Sequence, residues 1–257
     1  MNAVAHSQEK SEGQRRKVSI EGWTLWEYDS VTSTNLVAAG LPAWSAVRAD
    51  TQTAGRGRFQ RKWVSDEGGL WLSAVVPIRR PNGWFLPLLA GLAVCDVARG
   101  LGVENARLRW PNDVMLLERK LAGVLIDQFT PGLAVMGIGL NVNNQPACRD
   151  PALQNQAVRL ADILPAPMPL EDLTTLLLGR IRPLVQAWND GAWLPLLSRV
   201  NELWSRGRPV ELDLDGDIRR GLFAGVDDAG RLLLLDDSGA AAAFNPEQVR
   251  HLNEIHE

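Results

Sequence analysis

The chain has 257 residues, of which 46% are hydrophobic and 22% are charged, and its formal net charge is -3. This length suits one large domain, or a large and a small one, and the slightly acidic balance argues against a dedicated nucleic-acid-binding protein. Two cysteines far apart argue against a disulfide framework, and we see no apolar run of membrane-spanning length, so we expect a cytoplasmic protein that binds neither DNA nor membranes.

Polar, unpatterned residues open the chain, and β-rich runs follow them. Residues 1–20 contain no apolar core, so we predict a disordered tail there rather than a secretory signal. Ser33 and Thr34 begin a short predicted helix that Gly40 ends, and their hydroxyls either cap that helix or face a polar ligand. The clearest helix covers residues 84–98, where apolar side chains recur on one face. Strands are predicted over residues 23–28, 46–51 and 69–76.

The middle of the chain predicts a β-hairpin followed by another apolar strand. These strands are expected over residues 114–117, 120–126 and 133–142. A turn at Glu118 and Arg119 joins the first two. Lys120 begins an otherwise apolar strand, so its ammonium group is either solvated or aimed into a pocket. Glycines inside strands indicate close approach of a ligand or of another backbone, and they occur at positions 123, 137 and 139.

Two amphipathic helices and a β-rich segment complete the chain. The helices, over residues 169–188 and 192–204, are apolar on one side and are expected to cover a sheet. From residue 208 onward, short strands alternate with turns rich in Gly and Asp, which is typical of a small β-barrel or sandwich. These strands are predicted over residues 210–214, 218–226, 231–235 and 240–244.

The segment 50–63 carries the densest set of candidate ligand contacts. Its glycines let the backbone approach a ligand, its arginines offer planar forks of donors to carboxylate or phosphate, and its tryptophan offers a flat apolar face. Taken alone, the segment is also compatible with a solvated basic turn or with a Gly/Arg segment that binds RNA, and it matches neither common phosphate-loop pattern. The residues in question are Gly55, Arg56, Gly57, Arg58, Arg61, Lys62 and Trp63.

Four clusters in this order resemble the biotin–protein ligases. They are Ser33-Thr34-Asn35, residues 52–63, Trp110-Pro111-Asn112-Asp113 with residues 119–123, and residues 137–141. The resemblance extends over nearly the whole chain from Trp23 and implies an α+β fold. It implies a mixed-sheet catalytic domain like that of class II synthetases over residues 21–206, and a small SH3-like β-barrel over 207–257.

Some members of that family carry an N-terminal winged helix-turn-helix and repress transcription. Such a module needs three helices, which residues 1–20 are too few to form. We therefore expect a short form without the DNA-binding domain and without repressor activity.

The resemblance implies an ATP-dependent biotin–[acetyl-CoA-carboxylase] ligase that works in two steps. ATP and biotin form biotinyl-5′-adenylate and pyrophosphate, and a lysine of a biotin carboxyl carrier protein then attacks the mixed anhydride. Cationic side chains would offset the repulsion between the biotin carboxylate and the α-phosphate. No enzyme nucleophile is required, which agrees with histidines that lie only near the termini, at His6, His251 and His256.

The family's functional residues map onto this chain as follows. The implied catalytic residues are Lys120, Arg56 and Arg58. The implied biotin-binding residues are Ser33, Thr34, Asn35, Gln52, Arg56, Gly57, Arg58, Lys120 and Gly123. The implied ATP- and adenylate-binding residues are Arg56, Arg58, Arg61, Trp63, Asn112, Lys120 and Asn141.

Several points stay open at the level of the sequence. Asp113 is either a carboxylate associated with Mg²⁺ or a structural turn residue. Phe59-Gln60 stands where the family commonly keeps a glycine just before Arg61, a change that bears on loop flexibility and on retention of the adenylate. The alternative functions are a lipoate–protein ligase, which shares fold and adenylate chemistry, and a non-catalytic sensor of biotinyl-adenylate. The sequence also leaves open whether the protein forms a homodimer.

Overall fold

The computed structural model describes residues 13–80, 83–204 and 206–255. Eight strands form a large mixed sheet: β1 (Gln14–Ile20), β2 (Trp23–Val31), β3 (Ser45–Gln52), β4 (Leu70–Pro77), β5 (Arg107–Arg109), β6 (Asp113–Leu116), β7 (Arg119–Asp127) and β8 (Leu133–Leu140). Their order in the sheet is β1-β2-β3-β4-β8-β7-β6-β5. Strands β2 and β3 run parallel, and the other neighbouring pairs among these strands run antiparallel.

The helices of the described residues pack mainly on one side of this sheet. They are α1 (Thr34–Ala38), α2 (Leu86–Gly100), α3 (Pro146–Arg149), α4 (Leu170–Asn189) and α5 (Trp193–Leu203). Helix α2 is apolar on nearly every side because it lies between the sheet and helices α4 and α5. Residues 83–100 are long and apolar enough to cross a membrane, which we did not expect from the sequence. However, 67% of that segment is buried inside the protein, as befits a core helix.

The two faces of the large sheet are covered differently. Side chains alternate along a strand, so Ala134 and Met136 of β8 face the main core under α2, whereas Val135 faces the opposite side. Gly137 and Gly139 share the face of Val135. Helix α1 and a small apolar cluster cover part of that second face. The stretch beside the two glycines is left for the functional cavity.

A second, five-stranded antiparallel sheet follows the helices. Its strands are β9 (Pro209–Leu214), β10 (Asp217–Val226), β11 (Leu232–Leu235), β12 (Ala241–Phe244) and β13 (His251–Glu254), in the order β12-β11-β10-β9-β13. It is held to the first part of the chain by buried polar contacts. Trp110 Nε1 donates to the Gly230 carbonyl at 2.9 Å. The Glu254 carboxylate accepts from Arg107 at 2.8 and 2.5 Å and from Trp204 Nε1 at 2.6 Å.

Most of the predicted strands and helices are confirmed within a few residues, and both cysteines are free. The prediction of a disordered tail is wrong for residues 14–20, which form β1. Their polar sequence reflects an exposed edge strand that pairs with β2, and Arg16 contacts the buried carboxylate of Glu27. The predicted tail's residues 1–12 lie outside the described residues.

Smaller corrections concern short elements. Strands β5 and β13 contain 3 and 4 residues, too few to show a periodic pattern. The hairpin turns at Leu117 and Glu118 rather than at Glu118 and Arg119. Leu117 and Glu118 have φ of 50° and 57°, which is the left-handed backbone conformation that a two-residue hairpin turn requires.

Glu254→Gln is expected to lower the free energy of unfolding by about 2 kcal/mol, because the charge-assisted hydrogen bonds to Glu254 weaken. Burial raises the pKa of Glu254, but the hydrogen bonds and ion pair with Arg107 outweigh burial and hold the pKa below its ordinary value of 4.5. A lowered folded-state pKa stabilises above about pH 4.5, and this stabilisation disappears as the pH falls through the folded-state value.

Urea unfolding at neutral pH and at several acidic values measures this difference. Asp237→Asn, at an exposed turn residue, is the control and should behave as wild type. A Glu254→Gln protein as stable as wild type at neutral pH would contradict the expectation.

Candidate active site

A cavity of about 600 Å³ opens on the second face of the large sheet, within the size range of small-molecule sites. Helix α1, the segment 52–64, strands β6 to β8 and strand β13 all contribute to its walls. Every residue that the family resemblance assigned to a ligand or to Mg²⁺ lines it: Ser33, Thr34, Asn35, Gln52, Arg56, Gly57, Arg58, Arg61, Trp63, Asn112, Asp113, Lys120, Gly123 and Asn141. Gly55, a further candidate from the glycine–arginine segment, is not among the lining residues.

One end of the cavity is a network of neutral polar groups around Gln52. The Thr34 backbone N–H and hydroxyl donate to Gln52 Oε1 at 2.8 and 3.1 Å, and Gln52 Nε2 donates to Ser65 Oγ at 2.9 Å. Ser73 Oγ lies 2.7 Å from Thr34 Oγ1 and 2.6 Å from Asn35 Oδ1. Because these contacts fix each side chain, this end presents oriented donors and acceptors with no net charge. Ser65 and Ser73 were not predicted, since single serines in strands or loops carry no pattern.

Asp127, also missed from the sequence, ties this network to the glycine–arginine segment. Its Oδ2 accepts from Asn35 Nδ2 at 2.8 Å and lies 3.5 Å from an Arg56 guanidinium nitrogen. The two side chains of the Asp127–Arg56 pair are 24% and 29% exposed. A pair so close to solvent contributes little stability, but it fixes the direction of Arg56.

The glycines within β7 and β8 make room for side chains that cross the sheet. A β-carbon at Gly139 would lie 2.5 Å from Trp63 Nε1, and one at Gly123 would lie 3.0 Å from the Trp63 ring. A β-carbon at Gly137 would lie 2.3 Å from Asn35 Oδ1. The close approach expected from the sequence is therefore made by two side chains. Trp63 lies flat on the sheet as a floor of the cavity.

Lys120 lies at the centre of the cavity wall, beside Trp63 and Asp113. Its Nζ is 5.0 Å from the Trp63 ring centroid and 2.6 Å from Asp113 Oδ1, and Arg109 lies 2.7 Å from Asp113 Oδ2. Burial raises the pKa of Asp113, but the Lys120 and Arg109 cations outweigh burial, so its pKa is below the ordinary value. Asp113 is thus a largely buried anion between two cations, with 14% of its side chain exposed.

This geometry gives no support to a protein-held Mg²⁺ at Asp113. Each Asp113 oxygen already faces a cation. In the described part of the chain, no group of three His, Cys, Asp or Glu side chains could hold a metal ion. The residues present do not fit such a site, and Asp113 is better described as the partner that orients Lys120.

Residues 55–63 form an ordered hairpin, which we call the arginine hairpin. The Gly57 N–H donates to the Arg61 carbonyl at 2.7 Å, and the Trp63 N–H donates to the Gly55 carbonyl at 2.9 Å. At its tip, Arg58 donates to the carbonyls of Pro246 and Val249. Burial lowers the pKa of Arg58 to about 10, so its guanidinium stays charged at neutral pH.

The C-terminal segment 250–253 is a wall of the cavity that sequence reasoning missed. Arg61 donates to the Arg250 carbonyl at 3.1 Å and lies 3.4 Å from His251 Nδ1. Burial, and then the Arg61 cation, lower the pKa of His251 below its ordinary value, which favours the neutral imidazole. His251 lines the cavity although the histidines had been set aside because they lie near the termini. Arg61 and His251 are 190 residues apart in the sequence, so no local sequence pattern predicts their contact.

Asn112 and Asn141 have backbone partners that shape the cavity wall. Asn112 Nδ2 donates to the Val124 carbonyl at 2.8 Å, and Asn141 Nδ2 donates to the Lys120 carbonyl at 3.3 Å. Asn141 Oδ1 accepts from Asn144 at 3.1 Å. These bonds hold β7 at the position from which Lys120 projects. The nucleotide contacts of both asparagines stay predictions.

The fold and cavity described above agree with the class of biotin and lipoate ligases, to which two family models assign the chain. The model of the biotin/lipoate A/B protein ligase family matches residues 27–143, and that of the biotin protein ligase C-terminal domain matches residues 207–253. The chain belongs to the biotin–protein ligase family.

Curated relatives agree with this assignment. The biotin–[acetyl-CoA-carboxylase] ligase of Mycobacterium tuberculosis is 34% identical over 252 residues, which cover 90% of each chain. The bifunctional ligase/repressor BirA of Escherichia coli is 32% identical over 203 residues, or 77% of this chain. The match spans 63% of the length of BirA, so this chain corresponds to part of that relative.

The fold likewise matches solved structures. The biotin protein ligase of Aquifex aeolicus in complex with biotin and ATP superposes with a TM-score of 0.81 at 26% identity, over 90% of this chain and 99% of that one. The fold is therefore the mixed α+β fold of the biotin protein ligases.

Gly139→Ala is expected to lower the free energy of unfolding by about 1–3 kcal/mol, because the new methyl group overlaps the Trp63 ring. In a Trp63→Ala background the ring is absent, so the same substitution should have little effect. Urea unfolding of the wild type, both single variants and the double variant measures the coupling. An equal loss in both backgrounds would show that Trp63 does not lie on Gly139.

Proposed function

We propose that the chain is a biotin–protein ligase that activates biotin with ATP to biotinyl-5′-AMP and transfers biotin to a lysine of a biotin carboxyl carrier protein. The observation that carries the proposal is the charge arrangement of one cavity in a chain of this family. Its neutral end suits a polar, uncharged ring, and its other end gathers cations suited to a carboxylate and phosphates. Among the cations that line the cavity, we assign Arg56, Arg58, Arg61 and Lys120 to the ligands.

In the proposed first step, a biotin carboxylate oxygen attacks the α-phosphorus of ATP, and the bond to the β-phosphate oxygen breaks to release pyrophosphate. Both reactants are anionic, so the barrier falls when fixed cations lie between them. Lys120 is our candidate for that position because it projects into the cavity and Asp113 fixes it at 2.6 Å. Arg56 and Arg58 would neutralise charge on the phosphoryl oxygens.

The polar end of the cavity is our candidate site for the biotin ring system. The network of Thr34 and Gln52 offers oriented hydrogen-bonding groups, with Ser33 and Asn35 beside them. These four residues would bind the polar head group of biotin, and Gly57 would allow the ligand to approach the backbone. Gly123, which was also assigned to biotin, would instead make room for the Trp63 ring beside the ligand.

We assign the nucleotide to the opposite end of the cavity. The Trp63 ring offers a flat face for adenine, and the arginine hairpin would cover the phosphates. The residues assigned to ATP and the adenylate are Arg56, Arg58, Arg61, Trp63, Asn112, Lys120 and Asn141. ATP also brings Mg²⁺, which we expect to be held by the phosphates; Asp113 then acts on Lys120 rather than on the metal.

In the proposed second step, the neutral amine of the acceptor lysine attacks the acyl carbon of the adenylate. An amide forms, AMP leaves with the electrons of the acyl–oxygen bond, and the amine loses its proton. The enzyme supplies no nucleophile, since catalysis here consists of positioning and electrostatic stabilisation.

The finer architecture and setting belong to the same proposal. We assign β1 and residues 21–206 to a class II synthetase-like catalytic domain, and residues 207–257 to an SH3-like barrel, supported by the short antiparallel strands of the second sheet. Free cysteines and a need for ATP suit the cytoplasm. The proposed macromolecular partner is the carrier protein, with no DNA and no membrane, and a homodimer is compatible with the fold.

Two other functions make different predictions. A lipoate–protein ligase would use the same adenylate chemistry, but the match to the biotin protein ligase C-terminal domain favours biotin. A sensor of biotinyl-adenylate would bind the ligand without turnover, yet Lys120 and the loop arginines needed for turnover are all at the cavity.

Transfer of labelled biotin to a purified carboxyl carrier domain, with Mg-ATP present, tests the proposal. Wild type should label the carrier, and Lys120→Ala should lower the rate by about 10²–10³-fold, because a preorganised charge at the reacting oxygens is lost. Lys17→Gln removes an equivalent charge from an exposed site on β1 and should not change the rate.

Labelled lipoate, offered in parallel, separates the two ligase functions. Transfer of lipoate in place of biotin would establish the lipoate ligase. A folded wild type that binds biotinyl-adenylate but transfers neither acid would establish the sensor.

A further inference from the structure

The tip of the arginine hairpin has an unusual backbone. Phe59 and Gln60 have φ of 54° and 58°, in the left-handed region that bulky residues rarely adopt. Two such residues in succession persist when surrounding contacts hold them in place. The hairpin is therefore shaped by what its tip contacts, and these contacts belong to the C-terminal domain.

Phe59 is surrounded by guanidinium groups. Its ring centroid lies 4.5 Å from Arg250, 4.8 Å from Arg58 and 6.0 Å from Arg61, all within the range of cation–π attraction. Arg250 directly precedes β13 and also pairs with Asp215 at 3.2 Å. The Phe59 ring thus links the arginine hairpin to the C-terminal domain through a cation–π contact with Arg250, which belongs to that domain.

Hydrogen bonds reinforce the same contact. The guanidinium groups of Arg58 and Arg61 donate to carbonyls of Pro246, Val249 and Arg250. Phe59 is 37% exposed, so its ring contributes through these cations more than through burial. Removal of the ring would leave three guanidinium groups near one another without the electron-rich face between them.

We propose that Phe59 is a positioning residue, which fastens the arginine hairpin to the C-terminal domain before any ligand binds. This prepositions Arg58 and Arg61 at the cavity and reduces the ordering that the ligand must drive. An arginine hairpin held closed in this way also opens less often. If the proposed function holds, Phe59 therefore also slows the escape of the reactive adenylate, because the adenylate leaves when the hairpin opens.

Trypsin digestion of the ligand-free protein tests the fastening by itself. The bonds after Arg56 and Lys62 are the readouts, because their flanking residues stay unchanged in every variant. Cleavage tracks the open population when closure is fast. Phe59→Leu and Arg250→Gln should each be cut about three- to tenfold faster, the loss expected from a partly exposed cation–π contact.

The variants form a matched set. Phe59→Tyr keeps the aromatic face and should be cut at the wild-type rate, whereas a general defect of packing would not be rescued by Tyr. Phe129→Leu makes the same chemical change at another exposed phenylalanine and should have no effect. The double variant of Phe59 and Arg250 should be cut no faster than either single variant, because both act through one contact.

Release of biotinyl-adenylate from preloaded protein is the second readout. Phe59→Leu should release it faster by the same factor, and Phe59→Tyr should match wild type. If the adenylate forms but Phe59→Leu matches wild type in both cleavage and release, the inference is wrong. If wild type forms no adenylate, the proposed function fails, and the cleavage rates alone decide whether Phe59 fastens the hairpin.

Discussion

Positive charge is concentrated around one cavity, and neighbouring parts of the fold balance it. The cations assigned to the ligands lie around the same cavity, and like charges at short distances repel. Lys120 is balanced by Asp113, and Arg56 by Asp127. The guanidinium groups of the arginine hairpin's tip are balanced by carbonyl oxygens of the C-terminal segment 246–250. The small second sheet therefore completes the wall of the cavity.

Much of the fold could be predicted because apolar periodicity reports directly on which faces are buried. The glycines of β7 and β8 were informative for the same reason, since a missing side chain in a strand means that something else occupies its space. What occupies it could not be predicted. Trp63 and Asn35 reach Gly139 and Gly137 from loops and a helix far away in sequence, and only the three-dimensional fold brings them together.

The parts that sequence reasoning missed depend on long-range contacts. Arg58 meets Pro246 across 188 residues, and His251 lies on a strand too short to show a pattern. Strand β1 appeared disordered because an edge strand keeps its polar side chains in water, while its backbone is satisfied by β2. The candidate ligand contacts were assigned through the resemblance to biotin–protein ligases, and the structure brings them to one cavity, while their binding roles stay predictions. The residues that orient these contacts, such as Asp127 and Ser73, belong to no motif, and only the fold shows that they contact Asn35 and Thr34.

Biotin-dependent exchange of labelled pyrophosphate into ATP is the sharpest test of adenylate formation in this cavity, because it reports the reversible reaction without any acceptor protein. We expect exchange that requires this folded chain, ATP and biotin together, and that does not occur with lipoate. A folded protein that binds biotin and ATP in the cavity but catalyses no exchange would show that the gathered cations serve binding alone.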